Sequence, residues 1–353
     1  MQRFSEPNGS AQQANLRNCA TVAERFACCY SFAIALEQFH FALLQWEHEM
    51  SLVAVTGATG FIGRHLVREL PRRGYQVRVL LRRPSSNAMD APSAVIADLA
   101  NPKAMTAALA GVSAIVHSSA VAAGASGVPE DDYRVLNTEA TARLARAAQQ
   151  ARVGRFVFLS SIRAQSGPTA EPVLTEDMEA RPTDAYGRSK LEAERALAAL
   201  EIDWVALRLV LVYGRGMKGN LARLERLARS PYPLPLGGLT GRRSLVCVDH
   251  VVDAVEMVLS HRLPLRRPLI VADTEPITVS EIIAAMRKGL GRKPGLITIP
   301  RYLLDMAARI TGEPELVRSL TGSLVADPSA LRQLGWAPRK ATAAALEALT
   351  RGS

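Results

Sequence analysis

The chain has 353 residues, 48% of them hydrophobic and 22% charged, enough to bury the core of one large domain, or of one domain plus a smaller lobe. A net charge of +10 favours anionic partners, but the basic residues are scattered and no basic–aromatic interleaving occurs, so a solvated basic surface is expected and nucleic acid is excluded as a partner. Cys19, Cys28, Cys29 and Cys247 form neither a disulfide framework nor a metal-ligand spacing, which points to a reducing, cytoplasmic setting and no metal centre.

Residues 1–50 stand apart from the rest. The run 26–46 has the length of a membrane span, but Glu37, Gln38, His40 and Gln45 interrupt it, and a carboxylate near a bilayer centre costs about 3 kcal/mol. No basic n-region with a cleavage site marks a signal peptide. The segment is expected to be an amphipathic helix, a weak membrane-surface contact, or an upstream extension foreign to the natural protein. Met50, directly before the first strand, favours the last.

From residue 51 a rhythm sets in. "SLVAVTG" predicts a strand, and "FIGRHLVRELPRRG" a helix with Ile62, Leu66 and Leu70 on one face. Strands follow at "QVRVLLR", "SAVIADL", "SAIVHSSA", "RFVFLSS" and "WVALRLVLVYG". Helices are expected at "AMTAALAG", "YRVLNTEATARLARAAQQA" and "YGRSKLEAERALAAL". The alternation predicts an α/β fold of Rossmann type, a doubly wound parallel sheet whose ligands bind beyond the carboxyl ends of the strands. After residue 214 the rhythm loosens through "SPYPLPLGGLTGRR". Helices at "VVDAVEMVLSH", "VSEIIAAMRKGL" and "RYLLDMAARITG", with strands at "PLIVAD" and "GLITIP", predict a smaller C-terminal α/β substrate lobe. The expected division is 1–50, a dinucleotide-binding domain over 51–214, and the lobe over 215–353, some of whose segments return to the main domain.

Gly57, Gly60 and Gly63 are spaced G-x-x-G-x-x-G between the first strand and first helix. Gly57 allows the turn, Gly60 admits a pyrophosphate to the backbone, and Gly63 lets helix pack on strand. With Thr59, Phe61 and Ile62 they form the expected cofactor cradle. The second strand ends in Arg82 and Arg83, where an NAD-selective enzyme usually places a carboxylate, so NADP is favoured over NAD. Asp98 and Leu99, ending the third strand, are candidates for the adenine.

Tyr186 and Lys190 lie one helical turn apart, and Ser161 ends the fifth strand at the ligand-binding edge. An ammonium beside a phenol lowers its pKa from about 10, so Tyr186 is expected to act as acid or base, with Ser161 polarising a carbonyl. His117, at the end of the fourth strand, is expected to have a packing role.

These motifs resemble the extended short-chain dehydrogenase/reductase family, in its nucleotide-sugar epimerase, dehydratase and ketoreductase branch. "TGATGFIG" fits the family's fingerprint and "YGRSK" its Y-x-x-x-K, while the second serine of "FLSS" stands at its catalytic Ser/Thr place. Asn137 in "VLNTEAT" matches the asparagine that supports the lysine through water. "RSLVCVDHVVDA" resembles the motif whose arginine, here Arg243, holds a nucleotide diphosphate; Lys218 and Asn220 are further substrate-side candidates. The resemblance implies hydride exchange between a nicotinamide and C4 of a UDP-hexose or UDP-HexNAc, by a UDP-glucose 4-epimerase relative or a 4-ketoreductase of surface-polysaccharide synthesis. Ile162 and Arg163 after Ser161 disfavour dehydration, since related dehydratases carry Asp-Glu there. A reductase of hydrophobic ketones and a non-catalytic cofactor-binding subunit stay open, as does the assembly state, a homodimer included.

Overall fold

Val53, Ala54 and Val55 are fully buried in the strand Leu52–Thr56 (β1), as a central parallel strand covered on both faces requires. A computed structural model describes residues 51–81, 93–96, 101–122, 128–300, 302, 306 and 320–351. The segment 1–50, Arg82, Arg83, Asp98, Leu99 and nearly all of the helix expected at 301–312 lie outside the described residues.

β1 is followed by helix Phe61–Arg72 (α1), strand Gln76–Leu81 (β2) and strand Ser93–Ile96 (β3). Helix Pro102–Ala108 (α2) leads to strand Ala114–His117 (β4). A helix then starts at Glu130–Tyr133 (α3), widens to a π-turn over Arg134–Glu139 and continues as Ala140–Gln150 (α4). Strand Arg155–Ser161 (β5), helix Ala185–Ala198 (α5) and strand Asp203–Leu209 (β6) complete the alternation. The seven-stranded sheet runs β3-β2-β1-β4-β5-β6, with Arg267–Val271 at its far edge, and every pairing is parallel. The chain reverses direction of travel between β1 and β4, where Thr56 pairs with His117. Ligands bind at such a switch point in open α/β sheets.

Alternate residues divide the core. Val53, Val55, Val157 and Leu159 face Leu66 and Leu70 of α1, while Ala54, Phe156 and Phe158 face Leu144 of α4 and Leu197 of α5. Leu66 and Leu70 are fully buried, each stabilising the fold by about 1.5–3 kcal/mol.

The strand expected over "WVALRLVLVYG" is broken at Val210. β6 stays in the main sheet, while Leu211–Tyr213 (β7) pairs with Leu245–Cys247 (β9) in a sheet of its own. The break has a cause: Val210 N still donates to Val271 O, after which Leu211 turns outward and is 43% exposed. Within the one compact unit of residues 51–353, a separate buried cluster gathers Tyr213, Leu221, Leu245, Ile282 and Met286. Beside it lie helices Gly219–Arg229 (α6) and Val279–Gly289, and the short antiparallel pair of Arg242–Arg243 (β8) with Ile277–Thr278. "GLITIP" forms no strand. Pro294 and Pro300 flank it, and it makes one bridge, Leu296 to Leu234 in the proline-rich loop. "PLIVAD" supplies the edge strand of the main sheet rather than a strand of the lobe. Among the described residues no helix is long and apolar enough to cross a membrane.

Candidate active site

The β1–α1 turn is built for close approach. Gly57 has φ +70°, and a Cβ there would lie 2.7 Å from the carbonyl carbon of Ser118. A Cβ on Gly63 would lie 2.0 Å from the Gly57 carbonyl oxygen. Gly60 is the N-cap of α1 and offers no side-chain acceptor, so the first-turn N–H groups stay available to an anion. Thr59 and Gly60 are exposed, and Phe61 and Ile62 half-buried. An uncapped helix end behind a turn too tight for a side chain fits the pyrophosphate of a dinucleotide.

One strand away, His117 receives no catalytic geometry. Its Nδ1 lies 2.7 Å from Thr56 Oγ1 and its Nε2 3.0 Å from Thr141 Oγ1, and its ring stacks on Phe158. Burial pushes its pKa down to about 3, helped by the charge of Lys190, so the ring is neutral and serves packing.

β5 delivers Ser161 to the carboxyl edge of the sheet, and α5 starts at Asp184, whose carboxylate caps Gly187 N at 2.7 Å. Tyr186 stands in the first turn, half-buried, with its ring 6.3 Å edge-on to Tyr133. The turn after Ser161 packs on this first turn of α5, and Ser161 Oγ accepts from Arg163 N at 3.2 Å. Lys190, one turn on, is buried; its Nζ donates to Leu159 O at 2.9 Å and lies 6.0 Å from the Tyr186 ring centroid.

The electrostatics differ from expectation. Burial raises the Tyr186 pKa above its ordinary value; the neighbouring Ser161 hydroxyl and the Arg163 charge oppose that rise, and Tyr133 adds to it. Burial also brings Lys190 down to about 7, with Glu194 opposing. The lysine expected to lower the tyrosine gives one of its three donors to a backbone carbonyl, and the charge that opposes the rise at Tyr186 is that of Arg163.

Asn137 sits buried on the π-turn. Its Nδ2 donates to Ser189 Oγ at 3.0 Å, its Oδ1 accepts from Val121 N at 2.8 Å, and Ser189 Oγ donates to Tyr186 O at 2.8 Å. It therefore holds the tyrosine helix through Ser189, a residue whose place inside "YGRSK" was the available signal. The pairing of Arg163 with Asp184 and the buried pair Glu194–Arg208 behind the site also escaped the sequence reading.

Ser161, Tyr186, Lys190 and Asn137 thus share one corner, beside the strand ends that carry the glycine turn. The substrate-side candidates lie after β7, outside the main sheet. Arg243 is half-buried in β8, donates to Gly322 O at 3.0 Å, and has its pKa lowered by burial. Lys218 stands at the N-cap position of α6 without a capping bond and Asn220 is in the first turn, both exposed. His250, given no role from sequence, lies 2.7 Å from Asp273, which also accepts from Tyr213 Oη at 2.9 Å.

The profile of the NAD dependent epimerase/dehydratase family matches residues 53–269. UDP-glucose 4-epimerase of Vibrio cholerae is 31% identical over 81% of this chain and 90% of its own length. Ceramide reductase of Caulobacter vibrioides is 30% identical over 75% of this chain and 81% of its own. Among solved structures, MoeE5 in complex with UDP-glucose and NAD superposes with a TM-score of 0.66 at 29% identity, covering 84% of this chain and 97% of that one.

Proposed function

Since this chain belongs to the NAD dependent epimerase/dehydratase family, we propose that it acts at C4 of a nucleotide sugar, a UDP-hexose or UDP-HexNAc, as a 4-epimerase or 4-ketoreductase of surface-polysaccharide synthesis. The observation that carries this reading is the placement of Ser161, at the carboxyl end of β5, beside the tyrosine helix, whose first turn packs on the Ile162–Ala164 turn that follows the serine. The glycine turn opens at the same edge, and the likeness to the Vibrio cholerae epimerase and to MoeE5 supports the sugar nucleotide.

Gly57, Thr59, Gly60, Phe61, Ile62 and Gly63 would hold the pyrophosphate end of the cofactor. Arg82 and Arg83 would hold a 2′-phosphate, which favours NADP, and Asp98 and Leu99 the adenine. Tyr186 and Lys190 would face the nicotinamide ribose. A bound nicotinamide supplies the acceptor or donor of a hydride. Tyr186 moves the proton on the sugar O4 and Ser161 hydrogen-bonds the same oxygen. Arg82 and Arg83, suited to an exchanging NADPH, favour the single-transfer, ketoreductase version. Arg243, with Asn220 and Lys218, is assigned to the nucleotide diphosphate, and a half-buried guanidinium in β8 supports the assignment.

The likeness to ceramide reductase supports a second reading, reduction of a hydrophobic ketone on the same Ser161–Tyr186 pair. Incubation with UDP-glucose, UDP-GlcNAc or a UDP-4-keto-6-deoxy-HexNAc, and NADH or NADPH, separates the cases. An epimer without net cofactor change selects the epimerase, and oxidation of NADPH by the keto sugar selects the ketoreductase. Turnover of a long-chain ketone alone would replace the nucleotide sugar. Cofactor binding with no turnover of any of them would leave a non-catalytic subunit.

A further inference from the structure

Two buried polar residues, His117 and Thr141, take no part in the chemistry, yet their hydrogen bonds run between its two halves. Thr56 ends β1, directly before Gly57 and the cofactor turn. Its Oγ1 lies 2.7 Å from His117 Nδ1, and His117 Nε2 lies 3.0 Å from Thr141 Oγ1. Thr141 Oγ1 donates to Asn137 O on the π-turn. That hydroxyl proton is committed, so Thr141 can only accept from His117; Nε2 carries the ring proton and Nδ1 accepts from Thr56. The Asn137 side chain continues the path, with Nδ2 donating to Ser189 Oγ and Ser189 Oγ donating to Tyr186 O. Every donor from Thr56 to Tyr186 points the same way, from β1 across β4 and the π-turn to the first turn of α5.

A ring that only filled space between Phe156 and Phe158 could be apolar. An imidazole there needs both nitrogens paired, since a buried polar group without a partner costs about 1–3 kcal/mol. Burial holds the ring neutral, with its pKa near 3, so the direction of its bonds does not change across the physiological range. The segment after β4 bridges the same gap. Ser118 Oγ donates to Thr56 O at 2.6 Å, and Val121 N donates to Asn137 Oδ1 at 2.8 Å.

We propose that His117 is a positioning residue: with Thr56 and Thr141 it ties the cofactor turn to the tyrosine helix, so that occupancy of the turn fixes the place of Tyr186. The inference rests on the glycine turn being the pyrophosphate cradle and on Tyr186 being the proton-transfer group. His117 touches neither and acts through Thr141, Asn137 and Ser189. The path holds position and relays no proton, because it passes through the Asn137 amide.

The test is amide hydrogen exchange of the full chain, read by mass spectrometry over residues 185–191, with and without saturating ADP. ADP carries a pyrophosphate but neither the second ribose nor the nicotinamide, so it reaches the turn and not Tyr186. In wild type it is expected to slow exchange over 185–191 by about threefold or more. Thr141→Val keeps the side-chain shape and breaks the path in its middle. It should bind ADP and lose the slowing, and Thr141→Ser, which keeps the hydroxyl, should retain it. If Thr141→Val does not fold, Thr56→Val breaks the path at its other end and should give the same loss. A residue with a purely structural role would lower the melting temperature and leave the slowing equal in all variants, and that result overturns the proposal. ADP bound to wild type with no slowing over 185–191 also overturns it and leaves the cradle standing. No binding of ADP at all sinks the cradle itself, and the tie to the cofactor with it. The readout uses no sugar and no ketone, so it stands apart from the choice of substrate.

Discussion

The amine of Lys190 donates to the Leu159 carbonyl oxygen at 2.9 Å, in a site that buries it almost completely. Desolvation brings its pKa to about 7, against 10.5 for the free side chain, with Glu194 opposing the drop. The folded chain therefore binds this proton less readily than the unfolded chain between those two values. Stability rises with pH across the interval and is lost as pH falls toward 7. Thermal melts of the cofactor-free protein from pH 7 to 10 should show that rise, and Lys190→Met should flatten it. The same variant should melt at least about 2 °C higher at pH 7. A slope unchanged in Lys190→Met would mean that another group sets the profile.

Tyr186→Phe removes one hydroxyl from a ring held by Tyr133 and by packing, so the fold and the glycine turn should be untouched. Turnover of the correct substrate is expected to fall by about 10²–10⁴, the usual contribution of a general acid or base. Cofactor affinity, measured by fluorescence or calorimetry, should stay within about twofold. The split matters: parallel loss of affinity and rate would mark Tyr186 as a binding residue instead.

Behind the site, Arg208 Nη2 donates to Glu194 at 2.7 Å, with both side chains 5% exposed, and Ser160 and Gln165 complete the shell. Removing one partner strands a charge where water cannot reach it. Glu194→Leu is expected to cost about 3–5 kcal/mol in urea unfolding. Adding Arg208→Met should recover most of that loss. A double variant as unstable as the single one would show that Ser160 and Gln165, not the charge, set the cost.

The sheet was legible because apolar β-branched runs alternate with helical ones, and the tyrosine–lysine pair because its spacing is local. What escaped the sequence lies in long-range pairings. Arg163 finds Asp184 twenty-one residues on, and Arg208 reaches back fourteen residues to Glu194. No period or spacing announces such contacts. The break at Val210 was hidden for a different reason. The run 204–214 is apolar apart from Arg208, and only tertiary pairing to β9 tells where it leaves the main sheet. The same limit applies to Lys190: its spacing from Tyr186 was readable, but the direction of its amine was not.

Gly57 offers the sharpest test of the cofactor cradle. Its φ of +70° costs an L side chain about 1–2 kcal/mol, and a methyl group there would strike the Ser118 backbone. Relief requires β4 to move away from the turn, and that movement separates Thr56 from His117, which now lie 2.7 Å apart. Gly57→Ala should therefore lower the melting temperature and weaken cofactor binding at least tenfold. Ser161→Ala, in contrast, should reduce turnover with little effect on either. Equal cofactor affinity in Gly57→Ala and wild type would place the dinucleotide away from this turn.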